Sequence, residues 1–130
     1  GYSIINDISA RDQRRSGQWF FSKGQDSYAP FGPIVVTTDE ITDPQTLQLS
    51  LTVNGDQRQN GNSKYMLFKV ATLIEDITSG VTLEPGDVIA TGSPQGVGAA
   101  MTPPTFLQPG DVVACTIQSI GTLSNPVVAV

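Results

Sequence analysis

The stretch that decides the fold is Leu47-Gln48-Leu49-Ser50-Leu51-Thr52-Val53-Asn54-Gly55. Its first seven residues alternate apolar and polar side chains, which is the period of a β-strand with one buried face. Asn54-Gly55 follows at once and favours a type I′ turn, because both central residues of that turn need a positive φ. The sequence therefore predicts a β-hairpin whose second strand occupies residues 56–59.

Two further strands are predicted before this hairpin. Residues 2–5 are a short apolar run between Gly1 and Asn6 and predict a strand that ends at Asp7. Residues 34–37 are a second run after the stiff segment Pro30-Phe31-Gly32-Pro33. Residues 16–32 have no sustained period, so they predict a long loop with at most one short helical turn. Loops of this length in a compact domain are usually functional or disordered.

One helix and two turns are predicted after the hairpin. Val70, Leu73, Ile74 and Ile77 recur at helical spacing, which predicts a helix over residues 68–78. Residues 83–89 and 107–113 both contain Leu-x-Pro-Gly-Asp-Val, and Pro-Gly suits the centre of a type II turn. Each turn is expected to feed a strand, and two last strands are predicted over residues 112–120 and 122–130. The predicted fold class is mainly β, of the α+β type, with one clear helix in one domain.

Composition excludes several classes of partner. The chain of 130 residues has a formal net charge of −5, whereas nucleic acids and anionic membranes require a broad basic surface. Four of the seven Lys and Arg residues nevertheless lie in the first 23 positions, which is enough for a local pocket that binds a small anion. No run approaches the roughly 20 apolar residues of a membrane span. We therefore expect no nucleic-acid or membrane partner.

The absence of histidine restricts the chemistry. Without it, Ser-His-Asp and Cys-His nucleophile systems and His-rich zinc sites are excluded. Any bound metal must have mainly oxygen ligands, which selects Mg²⁺ or Mn²⁺, with Ca²⁺ as a further option. Cys115 is the one cysteine, so no internal disulfide can form, and a reducing cytoplasmic location is expected. Its apolar strand context predicts that Cys115 is a core residue.

The corner Asn6-Asp7-Ile8-Ser9-Ala10-Arg11-Asp12 carries two carboxylates and a guanidinium at the end of the first predicted strand. Asp7 is a candidate metal ligand, although a turn cap is the alternative because one carboxylate holds a divalent cation poorly. Arg11 could bind a substrate carboxylate bidentately or form a local salt bridge. Residues in the corner alone leave these alternatives open.

Two later segments carry further candidates. Lys23 precedes the flexible Gly24 and could approach an oxyanion, or could be an ordinary surface lysine. The segment 91–98, Thr-Gly-Ser-Pro-Gln-Gly-Val-Gly, could bind a carboxylate through its amides or could be a plain Gly-rich connection. Trp19, Phe20 and Phe21 either line the cleft or fill the core.

Several blocks of the sequence together resemble the fumarylacetoacetate hydrolase family, in that family's order and at about its spacing. These blocks are Asn6 to Asp12, Gly17-Gln18-Trp19, Lys23-Gly24, Tyr28-Ala29-Pro30-Phe31-Gly32-Pro33, Val53-Asn54-Gly55, Pro85-Gly86-Asp87-Val88-Ile89 and Thr91-Gly92. The resemblance covers the later part of the family's catalytic domain, so residues 1–130 are expected to be a partial domain that lacks its N-terminal part. It implies a mixed β-roll fold.

The resemblance also implies roles for particular residues. Asp7 matches a metal ligand whose partners in the family are an upstream Glu-x-Glu pair, which this chain does not contain. Lys23 and Arg11 are the implied catalytic residues. The implied substrate-binding residues are Arg14, Ser27, Thr91 and Gly92. Arg14 stands two residues after Asp12, where family members usually have a Gln, and Ser27 stands where they usually have a Thr.

The activity implied by the resemblance is that of a divalent-metal-dependent hydrolase, decarboxylase or isomerase of 2-oxo acids in aromatic catabolism. Its reactions include acylpyruvate or fumarylacetoacetate cleavage and isomerisation of 2-hydroxyhepta-2,4-diene-1,7-dioate. The expected partner is a small anionic 2-oxo acid, with a metal that stabilises an enolate, and a homodimer is expected. One alternative is a non-catalytic fragment that serves as a binding or assembly module. A further interpretation is that the chain is a secreted all-β carbohydrate-binding protein.

Overall fold

The computed structural model describes residues 1–14 and 17–129, which form an α+β structure dominated by two antiparallel sheets. This confirms the predicted fold class. The start of the predicted loop at Ser16 and the end of the last predicted strand at Val130 lie outside the described residues. Short 3-10 turns occur at Arg11–Gln13, Pro44–Thr46, Ser63–Tyr65 and Gly98–Ala100.

The predicted hairpin is confirmed at the centre of the larger sheet. Strand β3 covers Gln48–Val53 and strand β4 covers Asp56–Asn62, paired antiparallel. Asn54 and Gly55 between them have φ of +54° and +88°, as a type I′ turn requires. Strand β4 extends three residues beyond its predicted end at Gln59, because it pairs along the full length of β3.

Two C-terminal strands complete the larger sheet, whose strand order is β4-β3-β5-β6. Strand β5 covers Val112–Ile117 and strand β6 covers Gly121–Pro126, so both end earlier than the sequence predicted. Leu51 of β3 lies directly across from Cys115 of β5, and Cys115 lies across from Leu123 of β6. One face of the sheet is therefore apolar.

The smaller sheet packs against this apolar face. It consists of strand β1, Tyr2–Ile5, and strand β2, Phe31–Val36, paired antiparallel. Buried apolar side chains from both sheets and from the segment after β2 form one core: Ile4, Val36, Ile41, Val53, Val113, Cys115 and Ile120. Burial of Cys115 confirms its predicted place in the core.

Two helices are present in the described part of the chain. Helix α1 covers Trp19–Lys23, inside the predicted loop, and helix α2 covers Val70–Thr78, within the predicted 68–78. The side-chain oxygen of Gln45 accepts a hydrogen bond from the Val70 amide at 2.8 Å, which anchors the start of α2. Neither helix is long and apolar enough to cross a membrane.

Both Pro-Gly turns form, but only the second leads into a strand. The Asp87 amide donates to the Glu84 carbonyl at 3.1 Å, and the Asp111 amide donates to the Gln108 carbonyl at 3.0 Å. The strand predicted at Val88-Ile89 is wrong, because no neighbouring strand in the described part of the chain pairs with this segment. Turn chemistry is local, whereas a strand also needs a partner.

Candidate active site

The end of β1 fixes the position of Asp7. The Asn6 amide donates to the Pro30 carbonyl at 3.0 Å, which continues the pairing with the chain just before β2. The Ile8 amide then donates to the Asn6 carbonyl at 2.9 Å, so the backbone turns sharply around Asp7. Asn6 is buried while Asp7 is exposed. The carboxylate of Asp7 therefore projects from a fixed corner of the fold.

Two hydrogen bonds hold helix α1 against this corner. The Ala10 amide donates to the Ser22 carbonyl, and the Ser22 hydroxyl donates to the Ala10 carbonyl, both at 2.9 Å. Ser22 is fully buried. Sequence reasoning missed Ser22, because a serine inside an aromatic segment gives no local sign that it pairs with a residue twelve positions earlier.

This attachment brings Lys23 to Asp7. Lys23 ends helix α1, and its ammonium donates to Oδ2 of Asp7 as an ion pair. The two side chains are 33% and 37% exposed, so the pair is solvated and contributes at most about 1 kcal/mol to stability. The pair matters mainly for chemistry, because it places a cation beside a carboxylate in the lining of a cavity.

Trp19 adds an aromatic surface beside this pair. The Arg14 guanidinium carbon lies 4.0 Å from the centroid of the Trp19 ring, and Lys23 Nζ lies 5.6 Å from it. Both distances suit cation–π attraction. Trp19 lines the cavity, whereas Phe20 and Phe21 are largely exposed. The aromatic segment therefore does not fill the core.

A cavity of about 1470 Å³ separates the corner from the apolar face of the larger sheet. The corner and helix α1 form one wall, β3 to β6 form another, and the Gly-rich segment from Ser93 to Met101 forms a third. Its volume exceeds the 300–1000 Å³ typical of small-molecule sites. The cavity is therefore large enough for a small organic acid.

Four of the predicted site residues line this cavity, namely Asp7, Arg11, Lys23 and Ser27. Arg14 lies against Trp19 and is not among the lining residues. Thr91 and Gly92 are exposed and lie outside the lining, while the next residue, Ser93, belongs to it. The structure thus places four of the seven predicted site residues in the lining of one cavity, and the other three lie outside that lining.

The residues described do not complete a divalent-metal centre. No group of three or more His, Cys, Asp or Glu side chains with metal-binding geometry occurs in residues 1–14 and 17–129. Asp7 offers one carboxylate, and Mg²⁺ or Mn²⁺ normally requires two or three protein oxygens. Asp7 therefore fits one ligand of such a centre and not the whole of it.

Asp111 is the titratable cavity residue with a perturbed pKa. The Gln108 amide and the Asn54 side chain donate hydrogen bonds to its carboxylate at 2.8 and 2.7 Å, and these bonds lower its pKa below 3.8. The nearby Arg58 lowers the pKa further. Asp111 is therefore an anion at neutral pH, and its hydrogen bonds indicate a structural role.

These features define an α+β protein with a cleft lined by a lysine, an arginine and a carboxylate. Residues 1–128 match the family described as fumarylacetoacetate (FAA) hydrolase, C-terminal. The chain belongs to this family, which confirms the resemblance seen in the sequence.

Two proteins that are similar to this chain support its place in the family. Oxaloacetate tautomerase YisK of Bacillus subtilis (strain 168) is 48% identical over 128 residues, which are 98% of this chain and 42% of that protein. A solved fumarylacetoacetate hydrolase from the psychrophile Exiguobacterium antarcticum has a TM-score of 0.96 at 49% identity, with 99% of this chain and 47% of that chain covered.

A second solved structure contains ligands. Maleylpyruvate hydrolase from Sphingobium sp. SYK-6, in complex with manganese (II) ion and pyruvate, has a TM-score of 0.84 at 34% identity. The match covers 98% of this chain and 44% of that chain. The chain thus spans less than half the length of each of the three proteins named here.

Proposed function

We propose that this chain is part of a divalent-metal-dependent enzyme that acts on small 2-oxo acids as a hydrolase, decarboxylase or isomerase. The observation that carries the proposal is the contact between the Lys23 ammonium and the Asp7 carboxylate in the lining of the cavity. Such a pair offers a cation for a substrate anion beside an oxygen ligand for a metal.

The lining residues divide into two roles in this proposal. Asp7 supplies one of the two or three protein oxygen ligands that Mg²⁺ or Mn²⁺ normally requires. Lys23 and Arg11 bind the carboxylate of the 2-oxo acid, because ammonium and guanidinium groups form strong charge-assisted hydrogen bonds to it. The Ser27 hydroxyl is exposed at the cavity and can donate a further hydrogen bond.

Relatives support the substrate class and the metal. The maleylpyruvate hydrolase named above was solved with manganese (II) and pyruvate, and pyruvate is a small 2-oxo acid. The Bacillus subtilis relative is named as an oxaloacetate tautomerase, and oxaloacetate is also a 2-oxo acid. Lys23 and Arg11 line the same cavity and supply positive charge for the carboxylate of such an acid.

The test uses the complete encoded protein. Turnover of oxaloacetate, acylpyruvates and 2-hydroxyhepta-2,4-diene-1,7-dioate is measured with Mg²⁺ or Mn²⁺ and again after chelation. Asp7→Asn is expected to abolish metal-dependent turnover while the circular dichroism spectrum stays unchanged. Asp76→Asn, in helix α2 and away from the cavity, is the matched control. Full activity of the Asp7→Asn protein would remove Asp7 from the site.

A second candidate function is that of a non-catalytic binding or assembly module. The incomplete set of metal ligands among the described residues favours it. Titration of the protein with Mn²⁺, with and without oxalate, separates the two candidates. Oxalate-enhanced Mn²⁺ binding supports the enzyme, whereas no binding below about 1 mM, the range of weak sites, supports the module.

We also propose a homodimer. Large apolar side chains are at least half exposed on several elements, among them Phe20, Ile34, Val35, Leu67 and Phe68. Apolar surface of this extent is typical of proteins that bury it against a partner. The family resemblance seen in the sequence points the same way.

A further inference from the structure

Helix α1 presents an aromatic ring and an ammonium group side by side to the cavity. Trp19 and Lys23 are the first and last residues of this helix, and residues four positions apart lie on the same face of a helix. Lys23 Nζ accordingly lies 5.6 Å from the centroid of the Trp19 ring. Both residues line the cavity, so the ring is a neighbour of the cation at the place where that cation meets a ligand.

Two contacts limit the movement of the Trp19 ring. The guanidinium carbon of Arg14 lies 4.0 Å from the ring centroid, which is within the range of cation–π attraction. The Ser22 hydroxyl donates to the Ala10 carbonyl and thereby fixes helix α1 itself. The ring is 46% exposed, so burial in the core is not what holds it.

The Lys23 ammonium is thus attracted in two different ways. It donates a hydrogen bond to Asp7, and it lies over the face of the Trp19 ring. A lysine side chain has many rotamers, and an exposed one stays in place only where some contact offsets that loss of freedom. A metal that takes the oxygens of Asp7 weakens the first attraction. The second remains, because an indole ring has no oxygen to give to Mg²⁺ or Mn²⁺.

We propose that Trp19 is a positioning residue that keeps the Lys23 ammonium at the cavity when Asp7 is used as a metal ligand. The inference rests on the proposed function, in which Lys23 binds the carboxylate of the substrate. Trp19 acts through Lys23 and not through the ligand. A cation–π contact uses no hydrogen-bond acceptor, so the ammonium keeps donors for that carboxylate.

The experiment measures oxalate affinity by calorimetry in the complete encoded protein with saturating Mn²⁺. Trp19→Leu removes the π-face, and it is expected to raise the oxalate Kd about three- to fivefold, the effect of one partly exposed cation–π contact. Trp19→Phe keeps an aromatic face, so its Kd is expected to lie closer to that of the unsubstituted protein. Phe20→Leu is the control, since Phe20 is on the same helix and is not among the lining residues.

A double-mutant cycle separates positioning from direct contact with the ligand. If Trp19 acts through Lys23, adding Trp19→Leu to Lys23→Gln leaves the oxalate Kd of the latter unchanged. If the ring itself touches oxalate, Trp19→Leu weakens binding in both backgrounds.

Tryptophan fluorescence gives a readout without ligand or metal. Trp19 is the one tryptophan of the 130 residues, and its emission in the complete protein is the part that Trp19→Phe removes. Lys23→Gln takes the ammonium away from the ring and is expected to shift the emission maximum of Trp19. Lys64→Gln is expected to leave it unchanged, because Lys64 lies against Tyr65 and outside the cavity.

Several outcomes would overturn the inference while the proposed function stands. These are equal oxalate affinity in Trp19→Leu and Phe20→Leu, binding by Trp19→Phe as weak as by Trp19→Leu, a further loss of affinity in the Lys23→Gln background, and unchanged Trp19 emission in Lys23→Gln. Failure of the unsubstituted protein to bind oxalate would instead overturn the proposed function, and the positioning role of Trp19 with it.

Discussion

The side-chain amide of Asn54 donates to Oδ1 of Asp111 at 2.7 Å, across 57 positions of the sequence. The same side chain accepts a hydrogen bond from the Val112 amide at 2.8 Å. The backbone amide of Asn54 in turn donates to the Val112 carbonyl at 2.9 Å. The turn that starts β4 is thereby joined to the residues that start β5, at one edge of the cavity.

The first prediction concerns the pH dependence of stability. Hydrogen bonds from the Gln108 amide and Asn54 lower the pKa of Asp111 below 3.8, so the unfolded state binds more protons as the pH falls. The stabilisation by Asp111 is present above about pH 3.8 and is lost as the pH falls through the lower folded-state pKa. Asp111→Asn is expected to be less stable than the unsubstituted chain at pH 7, and the difference should shrink by pH 3.

Urea unfolding at both pH values measures this difference. Asp56→Asn, at the first residue of β4, serves as the control for a changed charge near the same turn. If Asp111→Asn lowers the free energy of unfolding equally at pH 7 and pH 3, the hydrogen bonds to the Asp111 carboxylate make no pH-dependent contribution to stability.

The elements that were predictable from sequence are those whose cause is local. The turn at Asn54-Gly55 was predictable because these residue types adopt a positive φ readily. Both Pro-Gly turns form for the same reason, since their glycines have a positive φ. The apolar residues of α2 recur at helical spacing, so its helix was predictable too. The strand predicted at Val88-Ile89 was wrong. A strand needs a neighbouring strand to pair with, and an isolated apolar run does not show whether one is present.

The candidate site was only partly predictable, for a related physical reason. Asp7, Arg11 and Lys23 were recognisable from residue type and family resemblance, and the structure places them at one cavity. The bonds that bring them together involve Ser22 and Ala10, which have no motif of their own. The contact made by the Ser22 hydroxyl depends on tertiary proximity, which cannot be inferred from the local sequence.

The second prediction tests the attachment of α1 to the corner. Ser22→Ala removes the hydroxyl that donates to the Ala10 carbonyl and leaves that part-buried oxygen without this donor. The free energy of unfolding is expected to fall by about 1–2 kcal/mol. Urea unfolding measures it, with Ser124→Ala on the exposed side of β6 as the control. Equal effects of the two substitutions would contradict the structural role of Ser22.

The third prediction concerns anion binding by Lys23. Lys23→Gln removes the ammonium beside Asp7 and is expected to weaken oxalate binding by about tenfold or more, since charge-assisted hydrogen bonds contribute about 1.5–3 kcal/mol. Lys64→Gln is the control, because Lys64 lies against the exposed ring of Tyr65 and outside the cavity. Calorimetry on the complete protein gives the affinities, and equal values for both variants would exclude Lys23 from the site.

The fourth prediction uses Cys115 as a reporter of the core. Burial between β3 and β6 raises the pKa of its thiol above 9.0, so little thiolate is present in the folded chain at pH 8. Thiolate is the reactive form, and reagent access is also blocked. Labelling by a disulfide reagent at pH 8 is expected to be at least ~100-fold slower without urea than in it. Equal rates would show that this core opens readily.

The last prediction concerns assembly. Apolar side chains such as Ile34 and Val35 on β2 are more than half exposed, although this strand also contributes Val36 to the core. Leaving such surface in water costs about 25 cal/mol for each Å² that a partner could cover, so association is favoured. Sedimentation at micromolar concentration is expected to give a dimer mass that does not fall at high salt, because apolar contacts are not weakened by ionic screening. A clean monomer under the same conditions would refute the homodimer.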